Sequence, residues 1–562
     1  MRKLYRAKSK KRIFVVFLII FGCMLGLVGK LAYIQFAMAG KLQDQVLDQR
    51  LRDVPVEPKR GIIYDTKGRE LAVSASVDSI YAIPSEVENP EETAKYLAAE
   101  LGMDEEEIYT KITRRRAFEW VKRKVEQDVG KRIRKLIEEK KVTGIAVTEE
   151  SRRFYPKGML AAHVIGFAGI DSQGLYGVEK TYDSELRGKP GTIKVEKDGQ
   201  NRIIPYAAQQ YIPPTDGNNI YLTIDEVIQH IAEREAEKAL NENAAKNVSI
   251  VIMQPKTGAI LALANRPSFD PNNYQEYDQS LWRNVAVSNS YEPGSTFKIV
   301  TTAASLQEKL VSESDRFYCP GYIKIPGSTI RCWKAGGHGS QTLAEVVQNS
   351  CNVGFVQMGL ELGQEKFYEY VRNFGFGQKT DLDLIGEASG ILIPESRLKS
   401  VDLARIAFGQ SISVTPVQLV SAVSAVANGG VLLKPQIVKQ ITDSNGEIIK
   451  EFQPQQVRRV ISKEIADQTL ALLETVVSEG SGKNAQVPGY RIGGKTGTAQ
   501  KVIDGRYAEG KYISSFIGIA PLNDPQIVVL VVIDEPSGGA YYGGQIAAPV
   551  AGNVMKDVLQ YL

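Results

Sequence analysis

Histidine is scarce in this 562-residue chain, with only His163, His230 and His338. None stands in a G-x-S-x-G setting, so a Ser-His-Asp triad has no evident base. His163 lies in the N-terminal half, and His230 fits a helix over 226–240 as a packed or exposed side chain. His338 sits in a glycine-rich loop, where local structure is the expected role and a substrate-facing role the alternative. Cysteine is also rare, at four residues. No H-E-x-x-H or C-x-x-C spacing occurs, so neither a metal nor any other cofactor is expected. The net charge of +4 is small and comes partly from the extreme N-terminus. With no basic–aromatic array beside it, nucleic acid is not an expected partner. Tandem repeats and long low-complexity segments are absent as well.

A strongly polarised N-terminus is present. Residues 2–12 carry Arg2, Lys3, Arg6, Lys8, Lys10, Lys11 and Arg12, and residues 13–36 are apolar except for Lys30 and Gln35. As a helix that run spans roughly 36 Å, enough to cross a bilayer. The basic flank predicts an uncleaved single-pass anchor in the cytoplasmic membrane, with the N-terminus inside and the remainder outside. A cleaved signal peptide ending near Ala37-Met38-Ala39 is the alternative, although the apolar run exceeds an ordinary signal core. An extracytoplasmic location makes thiol oxidation relevant to Cys319, Cys332 and Cys351, an odd set. A Cys332–Cys351 bridge would make the catalytic half redox-sensitive. A Cys319–Cys332 bridge would be merely structural, and three reduced, packed thiols are the plain alternative.

Three short motifs follow one another: Ser295-Thr296-Phe297-Lys298, Ser350-Cys351-Asn352 and Lys495-Thr496-Gly497. Each is weak alone. The chain repeats S-x-x-K at Ser396–Lys399 and K-T-G at Lys256–Gly258. The early K-T-G reads as a turn between strands and precedes the candidate nucleophile. Ser396 has no S-x-N between it and Lys495. Only the Ser295 set provides all three walls of a penicillin-reactive serine site in order. Serine needs a base before it attacks. The S-x-x-K spacing puts Ser295 and Lys298 one helical turn apart, after a Glu292-Pro293-Gly294 lead-in. Lys298 is the candidate base if burial or positive neighbours lower its pKa. The Ser295 and Thr498 N–H groups are candidate oxyanion donors. Ser350 can relay a proton, and Asn352 can hold a substrate amide. Lys495 and the hydroxyls of Thr496 and Thr498 are placed to bind a carboxylate. Gly497 lets substrate approach the strand.

The remaining pattern predicts an α+β protein. RGIIYDTKGRELAVS reads as strand, turn and strand around Thr66-Lys67-Gly68. Residues 37–58 read as an amphipathic stalk, 89–141 as charged helices with solvated faces, and 153–191 as loops and short strands. Beyond a boundary near 216, strands at 248–253, 259–264, 512–520 and 527–534 flank helices at 342–361, 401–428 and 463–479. Strands at both ends with helices between them predict one central antiparallel sheet packed by helices.

The chain resembles the class B penicillin-binding proteins, above all their division and sporulation members. The likeness rests on the N-terminal anchor and on RGIIYDTKGRELAVS, RRFYPKGMLAAHVIGFAG, GLYGVEKTYDSELRGKPG, EPGSTFK, Ser350-Cys351-Asn352, FGQSISVTPVQ and GGKTGTAQK. It implies a basic tail (1–12), a transmembrane anchor (13–36), an elongated α+β pedestal or dimerisation domain (37–215) and a serine β-lactamase/transpeptidase-like domain (216–562). It also implies D,D-transpeptidation of peptidoglycan stem peptides, inhibition by β-lactams, and partnership with a polytopic wall glycosyltransferase and division or sporulation proteins. D,D-carboxypeptidase, β-lactamase and a β-lactam-binding scaffold or sensor are the competing functions. The sporulation members commonly add a C-terminal module, and none is expected within this sequence, whose last expected helix lies close to Leu562.

Overall fold

The computed structural model describes residues 2–42, 51–116, 118–196, 210–503 and 505–562. The chain forms two compact units. The first comprises Met1–Pro58 and Lys189–Thr215. It contains the helix Arg2–Ala32, continued by a wider helical turn at Tyr33–Ala37. Its apolar side chains from Ile13 to Phe36 are exposed along the span, as lipid contact requires. Of the stalk expected over 37–58, residues 43–50 lie outside the described residues. Leu51–Val56 instead joins Gly191–Glu196 and Gln210–Ile212 in a three-stranded antiparallel sheet.

The second unit holds residues 59–188 and 216–562. Its central five-stranded antiparallel sheet uses β1 (Asn247–Met253), β2 (Ile260–Arg266), β3 (Gly493–Ile503), β4 (Arg506–Ala520) and β5 (Ile527–Asp534). Their spatial order is β2-β1-β5-β4-β3. Strands from both ends of the domain thus meet in one sheet, as the pattern predicts. β1 and β5 are almost wholly apolar and β-branched because helices cover both faces. Ile250, Ile252, Val529 and Val531 pack with helices α1 (Glu226–Glu242) and α6 (Gly543–Tyr561). The alternate residues Val251, Met253 and Leu530 enter the other core with α2 (Lys298–Gln307) and α4 (Pro416–Ala427). The strand order leaves β3 as an edge strand, and it packs against the turn carrying Ser295.

A second sheet pairs Ile63–Tyr64 in parallel with Asn219–Leu222 and antiparallel with Glu70–Ala82. Asp65 organises the intervening turn by accepting from the N–H groups of Lys67 and Arg69, each at 2.8 Å. Three of the segments that carry the family resemblance converge here on one buried ion cluster. Glu179, fully buried, accepts from Arg60 Nε and Arg153 Nε, each at 2.6 Å, and Arg60 also pairs with Asp183 at 2.7 Å. Burial pushes the Glu179 carboxyl up, but the two guanidiniums overcome this and hold it below its ordinary value. Loss of one partner from such a cluster costs about 3–5 kcal/mol, because a charge is left buried and unpaired.

Several elements depart from the pattern-based reading. The helix expected over 342–361 is broken into Leu343–Gln348 and α3 (Asn352–Asn373). Ser350 causes the break with a left-handed backbone at φ 52°. The helix expected over 401–428 is broken into Ser400–Ile406 and α4 by the FGQSISVT segment. Gly409, at φ 84°, donates no side chain there, and a Cβ would collide with Gly294 O. Within 153–191 the structure has short helices, Ala162–Ile165, Gly177–Thr181 and Asp183–Leu186, rather than short strands. The charged stretch 89–141 contains three helices, as expected, and also the strand Glu119–Val125. The helix expected over 463–479 is present as α5 (Lys463–Ser478).

Candidate active site

Ser295 lies in a 3₁₀ turn, Gly294–Phe297, that runs directly into α2. The sequence spacing suggests an α-helical first turn, and the tighter 3₁₀ form aligns the pair better. With three residues per turn, positions i and i+3 eclipse, so Ser295 and Lys298 project from one face. Pro293 precedes the turn, while the Gly294 N–H is held by Gly409 O at 2.9 Å. Ser295 is half-buried and Lys298 is 1 % exposed.

The Lys298 ammonium joins the first motif to the second. Its Nζ lies 2.8 Å from Ser350 O, 3.0 Å from Ser350 Oγ and 2.8 Å from Asn352 Oδ1. Burial pushes Lys298 down from 10.5 to about 7, against the opposing pull of Cys351 and Cys332. The left-handed backbone at Ser350 brings both its carbonyl and its hydroxyl to the same amine.

The third motif is on edge strand β3. Lys495 is fully buried, and its hydrogen bond goes to Thr496 O at 3.4 Å. Among the described residues no carboxylate lies within ion-pair distance of it. Burial, and then the charge of Lys298, push Lys495 well down. Thr496 Oγ1 shares a 2.8 Å hydrogen bond with Ser481 Oγ. Thr498 Oγ1 accepts from the Gly543 N–H at 2.9 Å, at the start of α6. That hydroxyl, expected to face a carboxylate, therefore has a structural acceptor role as well, and its proton remains the part that a carboxylate can use. Gly497 is required by close approach: a Cβ there would lie 2.9 Å from Pro293 O and against Ser515 Oγ.

The repeated motifs lie elsewhere. Ser396 and Lys399 are exposed, and the chain between them turns extended at Leu398. Lys256-Thr257-Gly258 forms the β1–β2 turn, with Lys256 paired to Asp524.

Sequence reasoning missed three supports. Glu292 accepts from the Ser411 N–H at 2.9 Å and from the Tyr507 hydroxyl at 3.2 Å, bracing the turn before Ser295. Burial pushes its carboxyl up. Ser481 backs Thr496, and Gly543 packs against Gly497 O. These contacts span long sequence separations, so no local spacing reveals them. The fourth surprise is a cluster: single ligand atoms from Cys319, Cys332, His338 and Cys351 all lie within 4.8 Å of one another. The shared hydrogen bond between Cys332 and Cys351, at 4.0 Å, pushes the Cys332 thiol down and the Cys351 thiol up.

A nucleophile turn, an S-x-N loop and a K-T-G edge strand around one antiparallel sheet define the penicillin-recognising serine acyltransferases. The chain belongs to the class B penicillin-binding proteins. The Penicillin binding protein transpeptidase domain matches residues 248–556, and the Penicillin-binding Protein dimerisation domain matches residues 55–222. It is 46% identical to Stage V sporulation protein D of Bacillus subtilis over 98% of this chain and 85% of that protein. Identity to Peptidoglycan D,D-transpeptidase FtsI of Escherichia coli K12 is 35%, over 97% and 91% of the two chains. The crystal structure of Penicillin binding protein 3 from Mycobacterium tuberculosis, complexed with aztreonam, matches with TM-score 0.70 and 28% identity, covering 90% of this chain and 97% of that one.

Proposed function

We propose that this chain is a membrane-anchored peptidoglycan D,D-transpeptidase of division or spore wall synthesis. The observation that carries this reading is Lys298, buried and bonded at once to Ser350 and Asn352. A neutral lysine has two donors and one lone pair. Of its three partners only the Ser350 hydroxyl can reverse and donate. When Lys298 instead donates to Ser350 Oγ, its lone pair is free to take the Ser295 proton, and it then passes a proton to Ser350, which is assigned to the leaving group. Ser295 Oγ attacks the carbonyl of the D-Ala–D-Ala bond, and the Ser295 and Thr498 N–H groups stabilise the oxyanion. Collapse breaks the C–N bond, and D-Ala leaves with the relayed proton. An amine of a neighbouring stem then attacks the acyl-serine, forms the new amide and returns the serine proton. Lys495, aided by the Thr496 and Thr498 hydroxyls, is assigned to the substrate carboxylate, because a buried cation without a protein counterion favours an incoming anion. Asn352 is assigned to the substrate amide. β-Lactams react at Ser295 by the same first half.

We assign residues 1–12 to a cytoplasmic tail, 13–36 to the anchor, 37–215 to the pedestal and 216–562 to the transpeptidase domain. The basic tail supports an N-in orientation, and a polytopic glycosyltransferase is the proposed partner. The test uses the full chain in detergent with uncross-linked glycan strands bearing D-Ala–D-Ala stems. Dimeric muropeptides with one D-Ala released per cross-link are expected. D-Ala release without dimers would make the protein a carboxypeptidase, and neither product would leave a scaffold.

The candidate redox pair Cys332 and Cys351 belongs to the same proposal. Transfer of two electrons and two protons to an extracytoplasmic protein disulfide would join the sulfurs. The bridge would pull on Cys351, between the two residues that bind Lys298. Penicillin labelling of air-oxidised protein is expected to rise on adding a dithiol. Equal labelling with and without reductant, with both thiols found free by mass mapping, removes this pair from the account.

A further inference from the structure

Cys319 ends the strand Arg316–Cys319, and its carbonyl accepts from the His338 N–H at 3.1 Å. Cys332 follows the strand Ser328–Arg331, where its N–H is tied to Gly321 O at 2.8 Å. Cys351 is the N-cap of α3. Two hairpins and a helix start thus deliver three sulfurs and one imidazole to a single point. Their spacing, C-x12-C-x5-H-x12-C, resembles no short metal motif, which explains why it escapes sequence inspection.

The geometry points to a zinc site built from Cys319, Cys332, His338 and Cys351, directly behind the S-x-N wall. Four ligands of this type at a tetrahedral zinc, with bonds of about 2.3 Å to sulfur and 2.0–2.1 Å to nitrogen, stand roughly 3.6–3.8 Å apart. Here Cys332 Sγ lies 3.5 Å from His338 Nδ1 and 4.0 Å from Cys351 Sγ, with every pair inside 4.8 Å. Small rotations close the set. All three sulfurs are buried, so the site is closed, as structural zinc sites are.

Two further observations point to a ligand here. Gln341 is 2 % exposed, and its Nε2 has no conventional hydrogen-bond partner while its side chain interacts with Cys351. The backbone N–H groups of Lys334 and Asn352 are directed at Cys332, and that of Gly354 at Cys351. Donors collected around sulfur suit thiolates, and such outer contacts orient and tune metal ligands. The other ring nitrogen of His338, Nε2, is buried without a partner, and the imidazole packs edge-on against Trp333 with Nδ1 turned to Cys332. Zinc also explains the odd count of extracytoplasmic cysteines: three thiols and one histidine complete one four-coordinate shell.

Binding exchanges three thiol protons for one divalent ion, with no change of oxidation state. The bound site would clamp Cys351 and hold Ser350 in its left-handed conformation beside Lys298. A Cys332–Cys351 disulfide would remove two of four ligands, so oxidation and metal occupancy are mutually exclusive. The site itself does not depend on the transpeptidase assignment.

The test is titration of the reduced, chelator-treated full chain in detergent with Co²⁺ and then Zn²⁺. Near-ultraviolet thiolate-to-cobalt absorption and strong visible bands of a tetrahedral site are expected to saturate at one equivalent and to be bleached by Zn²⁺. Elemental analysis after dialysis is expected to find one zinc per chain. Cys319→Ser and His338→Ala are expected to weaken metal binding at least about tenfold. Absence of thiolate-to-cobalt absorption in the wild type overturns the proposal, whether or not either variant folds. So does undiminished affinity in both variants.

Discussion

Ser295→Ala is expected to lose covalent penicillin labelling and cross-linking altogether, a fall of more than about 10⁴-fold in acylation rate. That corresponds to about 5 kcal/mol of barrier. The size follows from the arrangement. In the proposed mechanism Lys298, Ser350 and the oxyanion donors act only on an oxygen at Ser295, so their contributions vanish together when it goes. The substitution removes one hydroxyl from a half-buried position in a turn held by the Gly294–Gly409 hydrogen bond, so folding should be little affected. Ser396→Ala is the matched control. Ser396 shares the S-x-x-K spacing but is exposed, on a chain that turns extended before Lys399. Fluorescent-penicillin labelling, read by gel and by peptide mass, checks both. Persistent label in Ser295→Ala, or its loss in Ser396→Ala, would move the nucleophile elsewhere.

The contrast between these serines shows what the sequence discloses. Motif order selected the Ser295 set, and strand composition revealed the sheet because β1 and β5 are runs of β-branched residues buried on both faces. The breaks were less legible. Apolar periodicity carries straight through 342–361 and 401–428, yet both stretches are interrupted where the backbone serves the site. Ser350 adopts a conformation uncommon for serine, stabilised by tertiary contacts to Lys298 that no window of neighbours contains. The same holds for the Cys319–Cys332–His338–Cys351 cluster and for the Glu292–Tyr507 contact, which joins residues far apart in sequence. The pedestal segments behave likewise. Arg60, Arg153 and Glu179 are recognisable as parts of separate motifs, but their common purpose appears only when they meet in one buried ion cluster.

Acylation of the wild type is expected to rise about tenfold per pH unit below about pH 7 and to level off above it. The sign follows from Lys298. Burial lowers its pKa to about 7, and only the neutral amine can accept the Ser295 proton. Acid therefore protonates the base and slows attack, whereas alkali leaves it competent. Lys495 does not set this limb, although burial and Lys298 push it down too. In its proposed role it holds the substrate carboxylate in its protonated form, so losing that proton could only lower the rate as pH rises, opposite in sign to this limb. Lys298→Arg separates charge from basicity, since a guanidinium remains protonated and offers no acceptor. It is expected to lose about 10³-fold or more in acylation at every pH from 5 to 9 and to lose the rising limb. Lys495→Gln, which leaves Lys298 in place, should weaken substrate capture while keeping the limb. Second-order rates of penicillin labelling across that range distinguish these cases. A flat wild-type profile, or a rising limb retained in Lys298→Arg, would assign the base to another group and leave Lys298 as an electrostatic support.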